Sequence, residues 1–469
     1  MTGEPGVTRS LRSVDREWLS IPVALLVAGL VAVYAPVAGD MARMLAITLF
    51  CIVLWVASPF DPWLTGLIGV GLIGVGFSTD LALVGFRSPA TWLVLLGILL
   101  GEAIGQSGLA SVVERRAIDV LPRGAATDAT VAYRYLLVAL SAAALGLVVL
   151  VPSSLVRVLI LGPILISVGG SFSERRPGLG LFLGPLFVTY YAGTGVLTGS
   201  LANIIITGLL EANAGVSIGW VEWAVWLGPV MGVGRAVAIT AIAYVLYRPR
   251  PDTTIDLDGE PADEDAAAAD VRRMLLYMLL GVAIWATDAI HGLHPLYGAL
   301  VVSVLAFAPR IGVVSPESVS DGDFSIVFFL GAIFAIAEGL RRTEFTDLAA
   351  RAILESLPGD ASLLLVLPAV ILAAMALAFL MEGLAVASVL TPVLVSFAES
   401  AGLPLVPVAM IEAVALNTYF LPYQSAVLVG ILGLNYVGSR ELIKMATLCS
   451  LATLLVLMPV QVAIFVVAF

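Results

Sequence analysis

The chain carries one long unit twice. The segment E-A-I-G-Q-S-G-L-A-S-V-V-E-R-R-A-I-D-V-L-P ends at Pro122, and E-G-L-R-R-T-E-F-T-D-L-A-A-R-A-I-L-E-S-L-P ends at Pro358. Glu102 aligns with Glu338, Arg115 with Arg351, Asp119 with Glu355 and Pro122 with Pro358, each pair 236 positions apart. Each copy leads into an apolar stretch with polar residues at its centre. The fold must therefore accommodate two like halves whose hydrophobic segments are both interrupted.

Composition decides the solvent those halves face. With 60% hydrophobic and 12% charged residues in 469, and a mean hydropathy of +1.06, most of the chain cannot face water. Several apolar runs reach the roughly 20 residues that cross a bilayer as a helix. The expectation is an all-α polytopic membrane protein. The first sixteen residues are polar and the apolar run from Trp18 to Val37 is of spanning length, so it reads as a retained helix rather than a cleaved leader. The two cysteines, Cys51 and Cys449, both fall in apolar segments and read as buried small residues, excluding a disulfide framework or a cysteine metal cluster.

The net charge of −11 is partly local. Asp252, Asp256, Asp258, Glu260, Asp263, Glu264, Asp265 and Asp270 crowd one stretch, which reads as a solvated linker. Nothing in it points to nucleic acid. The expected organisation is an N-terminal segment at 1–17, a first half at 18–247 with a re-entrant hairpin at 132–170, an acidic linker at 248–273, and a second half at 274–469 with a hairpin at 361–400. About eleven crossings plus two hairpins result, an inverted repeat of two halves. Arg9, Arg12 and Arg16 ahead of the first helix place the N-terminus and the linker in the cytoplasm of a plasma-membrane protein. Arg341, Arg342 and Arg351 then fall on the outer side, which an interfacial helix would explain.

Hairpins entering from opposite faces give their tips a physical role, because a helix that starts at mid-membrane presents unpaired N–H groups to anions, and unpaired carbonyls hold cations. The first tip is Pro152-Ser153-Ser154-Leu155-Val156-Arg157, followed by Pro163; the second holds Glu382, Gly383 and Ser388, followed by Pro392. Ser153 to Pro163 and Glu382 to Pro392 are the same ten-residue spacing. Each hairpin precedes a crossing rich in helix breakers. The first contains Gly193, Thr194, Gly195, Thr198, Gly199, Ser200 and Asn203, and the second Asn417, Thr418, Pro422, Tyr423, Gln424 and Ser425. Small residues also serve close helix packing, but four such segments in two matched pairs point to the binding site of a secondary transporter.

The order of hairpin, Gly199-Ser200-Leu201-Ala202-Asn203 crossing, charged linker, second hairpin and Leu421-Pro422-Tyr423-Gln424-Ser425 crossing resembles the divalent-anion:sodium symporter family. The resemblance covers nearly the whole chain. It implies a homodimeric elevator, in which a transport domain of hairpins and unwound crossings carries a di- or tricarboxylate or sulfate with sodium past a fixed scaffold. It also implies that Ser153, Ser154, Ser200 and Ser425 meet the substrate and that Ser153, Gly199 and Gln424 hold sodium; on their own chemistry and position Arg157 joins the substrate candidates, and Asn203, Glu382 and Gly383 join the candidates for the coupling ion, sodium or a proton. No other metal and no organic cofactor are implied. The chain departs from the family's Ser-Asn-Thr tips, which read Ser153-Ser154-Leu155 and Glu382-Gly383-Leu384 here, and Leu201-Ala202 stands where the family has Pro-Pro.

An acid near the bilayer centre is costly unless paired, hydrated or protonated. Glu382 therefore has several open roles: a proton site replacing a sodium site, a cation ligand, a partner for Arg157, or a vestibule residue. Arg157 equally suits an anion directly, its planar fork matching carboxylate or sulfate. Glu102 and Glu338 read as structural, Arg235 and Glu412 as locally paired or snorkelling, and His291 and His294 as a solvated turn. A proton-coupled transporter, a cation/proton antiporter or a metalloid exporter of the same superfamily is the alternative reading. No nucleophile constellation or phosphate loop suggests an enzyme.

Overall fold

The computed structural model describes residues 18–37, 39–58, 60–108, 128–255, 267–322, 324–356, 362–379 and 383–469. Residues 1–17, the linker acids from Asp256 to Asp265, and Arg115, Asp119, Pro122, Pro358 and Glu382 lie outside them. The described chain is helical, with one isolated bridge between Phe172 and Ile255. Five helices are long and apolar enough to cross a membrane by length and composition.

After α1 (Ser20–Tyr34), the first half runs α2 (Gly39–Ala57), α3 (Pro62–Gly76), α4 (Pro89–Gln106), α5 (Ala129–Leu150), α6 (Ser154–Gly170), α7 (Arg175–Tyr191), α8 (Leu201–Ala214) and α9 (Trp220–Tyr247). The second half repeats the series as α10 (Ala267–Ala286), α11 (Leu296–Phe307) and α12 (Ser325–Arg342). An amphipathic α13 (Phe345–Ser356) follows, then α14 (Leu363–Ala378), α15 (Gly383–Ser400), α16 (Leu405–Leu416), α17 (Ala426–Gly433) and α18 (Ser439–Ala468). Both α9 and α18 contain a π-helical segment, at Gly228–Gly234 and Thr453–Leu457.

The halves exchange partners in matching pairs. α3 packs on α12 and α4 on α11; α8 packs on α15 and α17 on α6. Such reciprocal contacts are what a two-fold relation between inverted repeats produces. A smaller apolar cluster around Met44, Ile47, Cys51, Ile73, Ala335, Ile336 and Leu340 joins α2, α3 and α12, separate from the large core built on the hairpins and interrupted crossings. Cys51 and Cys449 are both buried and free.

Local chemistry explains the ends. Asp128 caps α5, its Oδ1 accepting from the N–H groups of Thr130 and Val131 at 2.8 and 3.2 Å, and Ser153 caps α6. Pro163, Pro185, Pro368 and Pro392 sit inside helices, which neighbouring helices tolerate in a membrane. Two of the arginines expected on the outer side are paired locally: Glu338 accepts from Arg341 and Arg342 at 2.8 and 2.7 Å, just ahead of α13. Glu102 accepts from Gln106 at 2.6 Å.

Candidate functional site

Between α7 and α8 the first crossing breaks into two 3-10 turns, Ala192–Gly195 and Leu197–Gly199, before Ser200 turns extended. The break needs glycine at two facing positions. A Cβ on Gly193 would meet the Gly199 carbonyl oxygen at 2.5 Å, and a Cβ on Gly199 would meet that of Gly193 at the same distance. Two backbone strands thus touch where the helix ladder is lost, and their freed carbonyls need donors.

Asn203 and Arg157 supply them. The Asn203 amide donates to Val196 O at 2.9 Å and reaches Gly193 O and Thr194 O at 3.3 and 3.4 Å. The fully buried Arg157 donates from Nε to Thr189 Oγ1 at 2.8 Å, and from its terminal nitrogens to Ser154 Oγ (2.9 Å), Thr189 O (2.8 Å), Gly199 O (2.7 Å) and Val151 O. Ser154 Oγ also donates to Gly199 O at 3.2 Å. One guanidinium therefore clamps the end of α5, the start of α6, the end of α7 and the break ahead of α8. Its fork is spent on the protein's own oxygens.

The second crossing breaks between α16 and α17. Gln424 accepts from the N–H groups of Phe420 and Leu421, both at 2.8 Å, and donates to Ala378 O on the hairpin arm α14 at 2.9 Å. Ser425 caps α17. Gly383 starts α15 under the Tyr419 ring, where a Cβ would lie 2.3 Å from the phenol oxygen.

The two breaks meet. Ser200 donates to Asn417 Oδ1 at 2.7 Å, and Asn417 Nδ2 donates to Asn203 Oδ1 at 3.2 Å. Tyr190 donates to Ser425 Oγ at 2.5 Å, and Tyr191 to Tyr419 O at 2.8 Å. Arg235, fully buried, joins both breaks from α9, donating to Tyr191 O and Thr194 Oγ1 (3.0 Å each), Thr418 Oγ1 (2.6 Å) and Thr453 Oγ1 (3.0 Å). Arg235 does not snorkel. Neither Arg157 nor Arg235 has a carboxylate partner among the described residues.

Both hairpins and both breaks thus gather around one buried polar centre, with Ser153, Ser154 and Arg157 at the first tip, Gly199, Ser200 and Asn203 in the first break, and Gly383, Gln424 and Ser425 in the second half. Asn417, Thr418 and Arg235 join them. Asn417 and Thr418 belong to the second interrupted crossing already legible in the sequence, whereas Arg235 reaches Thr418 across 183 residues, a contact no local pattern exposes.

Beside this centre a cavity of about 500 Å³ lies among α4, α8, the start of α9 and the loop before α11, bordered by Leu197 of the first break and Ile204 of α8. Glu211, Glu222, Asp288 and His294 line it. His291 is exposed in its turn, but His294 is half-buried and lies 3.7 Å from Glu211. Burial pushes its imidazole below the ordinary histidine value, and the Glu211 carboxylate opposes that in part. Asp288 accepts from the N–H groups of Trp220 and Val221 at the start of α9.

Comparison with known proteins decides the family. The family model of the sodium:sulfate symporter transmembrane region matches residues 16–467. The chain belongs to this family. The chain is 26% identical over 307 residues to a "membrane protein" of Cupriavidus necator, covering 59% of this chain and 57% of that relative's length. It is 24% identical over 435 residues to an "uncharacterized transporter" of Haemophilus influenzae, covering 88% of this chain and 89% of that one. Its fold is shared with the crystal structure of the Alcanivorax borkumensis YdaH transporter, at a TM-score of 0.54 and 14% identity, covering 92% of this chain and 99% of that one. The chain is a multi-pass membrane transporter of this family.

Proposed function

We propose that the protein is a secondary active transporter that carries a small divalent anion, a dicarboxylate or sulfate, together with a cation, sodium in the first instance. One observation carries the reading. Four helices, α6, α8, α15 and α17, begin around the centre where the hairpins and breaks converge, and two buried guanidinium groups stand there without a carboxylate. Helix N-termini and uncompensated guanidinium charge both favour an anion.

Ser200, Ser425 and the Ser153-Ser154 tip stand at those helix starts and are assigned to the anion, the hydroxyls of Ser200 and Ser154 turning to it from Asn417 and Gly199. Arg157 contributes charge at short range rather than direct contact. The ten-residue spacing that relates the tips places Val386 where the first tip has Arg157. The coupling cation is accordingly assigned to the second half, at the break holding Gln424 and the tip with Glu382 and Gly383.

The hairpins and interrupted crossings form the moving part, and the helices joined in the smaller apolar cluster form the scaffold, in a plasma-membrane homodimer with its N-terminus inside. The test is ligand-dependent stabilisation of the purified protein, since a ligand that binds only the folded state raises its melting temperature. Sulfate or succinate should stabilise it only with sodium present, and Asn417→Ala should lose the effect. Stabilisation by neither anion, with or without sodium, would count against an anion carrier.

A further inference from the structure

Glu412 lies on α16 five residues before the second break. Its side chain is fully buried, Oε1 accepts from Thr391 Oγ1 at 2.9 Å, and Oε2 has no hydrogen-bond partner. The helices packed against α16 are α8, α14 and α15. They bring no lysine, arginine or histidine, and their only acids are Glu399, exposed near the end of α15, and Glu211, half-buried near the far end of α8 on the cavity beside His294. An ionised Glu412 would be an unpaired charge in the interior of a membrane protein, with no compensating cation among the described residues of these helices. A hard cation is no substitute partner, because it takes about six or more oxygens, and Thr391 is the one hydroxyl that reaches this carboxyl.

We propose that Glu412 is a proton-binding site. The carboxyl carries a proton while α15 is packed over it and exchanges that proton with water when the hairpin α14–α15 lifts. The step forms and breaks one O–H bond, with water delivering the proton on one side and accepting it on the other. Thr391 precedes Pro392, whose ring and missing N–H weaken the α15 ladder at the point where the hairpin touches Glu412. Loading the site is thereby linked to the arm that has to move. This rests on α14–α15 being a mobile re-entrant hairpin, and it assigns the proton to a residue distinct from Glu382 at the tip.

The experiment is infrared spectroscopy of the purified full chain in liposomes at neutral pH, in water and deuterium oxide, which needs no transported substrate and so fails or succeeds independently of the anion assignment. A carboxylic-acid carbonyl band that shifts in deuterium oxide is expected in the wild type and should be lost in Glu412→Gln. An identical band in both would overturn the proposal. Thr391→Val keeps the carboxyl but removes its donor, so the same band should persist at a shifted frequency. A band that does not move in that variant would also overturn the assignment, even if Glu412→Gln fails to fold.

Discussion

Arg157→Lys keeps the charge at the first tip and removes the fork. The guanidinium has five N–H groups and bonds five acceptors on four segments of chain. An ammonium has three, so at least two acceptors are abandoned. Val151 closes α5 and Gly199 closes a 3-10 turn, positions whose carbonyls lack an intrahelical partner. Each buried acceptor left unsatisfied costs about 1–3 kcal/mol, so the substitution should destabilise the protein by about 2–6 kcal/mol. The Ser154 hydroxyl still donates to Gly199, which argues for the lower half of that range. Thermal unfolding in detergent should show a clearly lower midpoint, and hydrogen exchange should rise selectively in 151–157 and 192–200. Arg157→Lys melting with the wild type, with exchange at the tip unchanged, would refute the clamp and return Arg157 to the role of a direct anion ligand.

Other outcomes follow from the same geometry. Gly199→Ala places a Cβ 2.5 Å from the Gly193 carbonyl oxygen and 2.8 Å from Val148 Cγ1; backbone cannot yield as a side chain does, so ligand-induced stabilisation should vanish, and its survival would show the break is not the site. Asp288→Ala removes the acceptor for two N–H groups at the start of α9 and should cost about 0.5–2 kcal/mol in unfolding experiments. The histidine prediction concerns pH. Because burial lowers the His294 value in the fold, the unfolded chain takes up this proton first, and stability falls as pH drops below about 6.5. Melting curves across that range should flatten in His294→Gln, and an unchanged pH slope would remove His294 from the account.

Much of the architecture is legible in the chain because membrane helices must be long, apolar and internally hydrogen-bonded. The breaks at 192–200 and 417–425 announce themselves through Gly193, Gly199 and Pro422, residues a continuous helix avoids. The direction of a buried side chain is another matter. Arg157 suits an anion or a backbone carbonyl equally well on paper, and its orientation is decided by Thr189 and Gly199, 32 and 42 residues away. Arg235 fits local pairing or snorkelling equally on sequence, because its partners Thr418 and Thr453 belong to the other half. His294 read as solvated because two histidines between helices carry no sign that Glu211 approaches from α8. Glu412 fits local pairing or snorkelling on sequence, whereas its one partner among the described residues, Thr391, is neutral and sits on the facing hairpin arm.

The central claim is that the polar centre carries an anion driven by a cation gradient. Uptake of labelled sulfate and of labelled succinate into proteoliposomes, with a sodium gradient imposed and, separately, a proton gradient, tests it most directly. The account predicts accumulation of one of these anions that rises with the imposed cation gradient and is abolished in Asn417→Ala. Uptake of neither anion under either gradient, by protein that melts as a folded species, would contradict it.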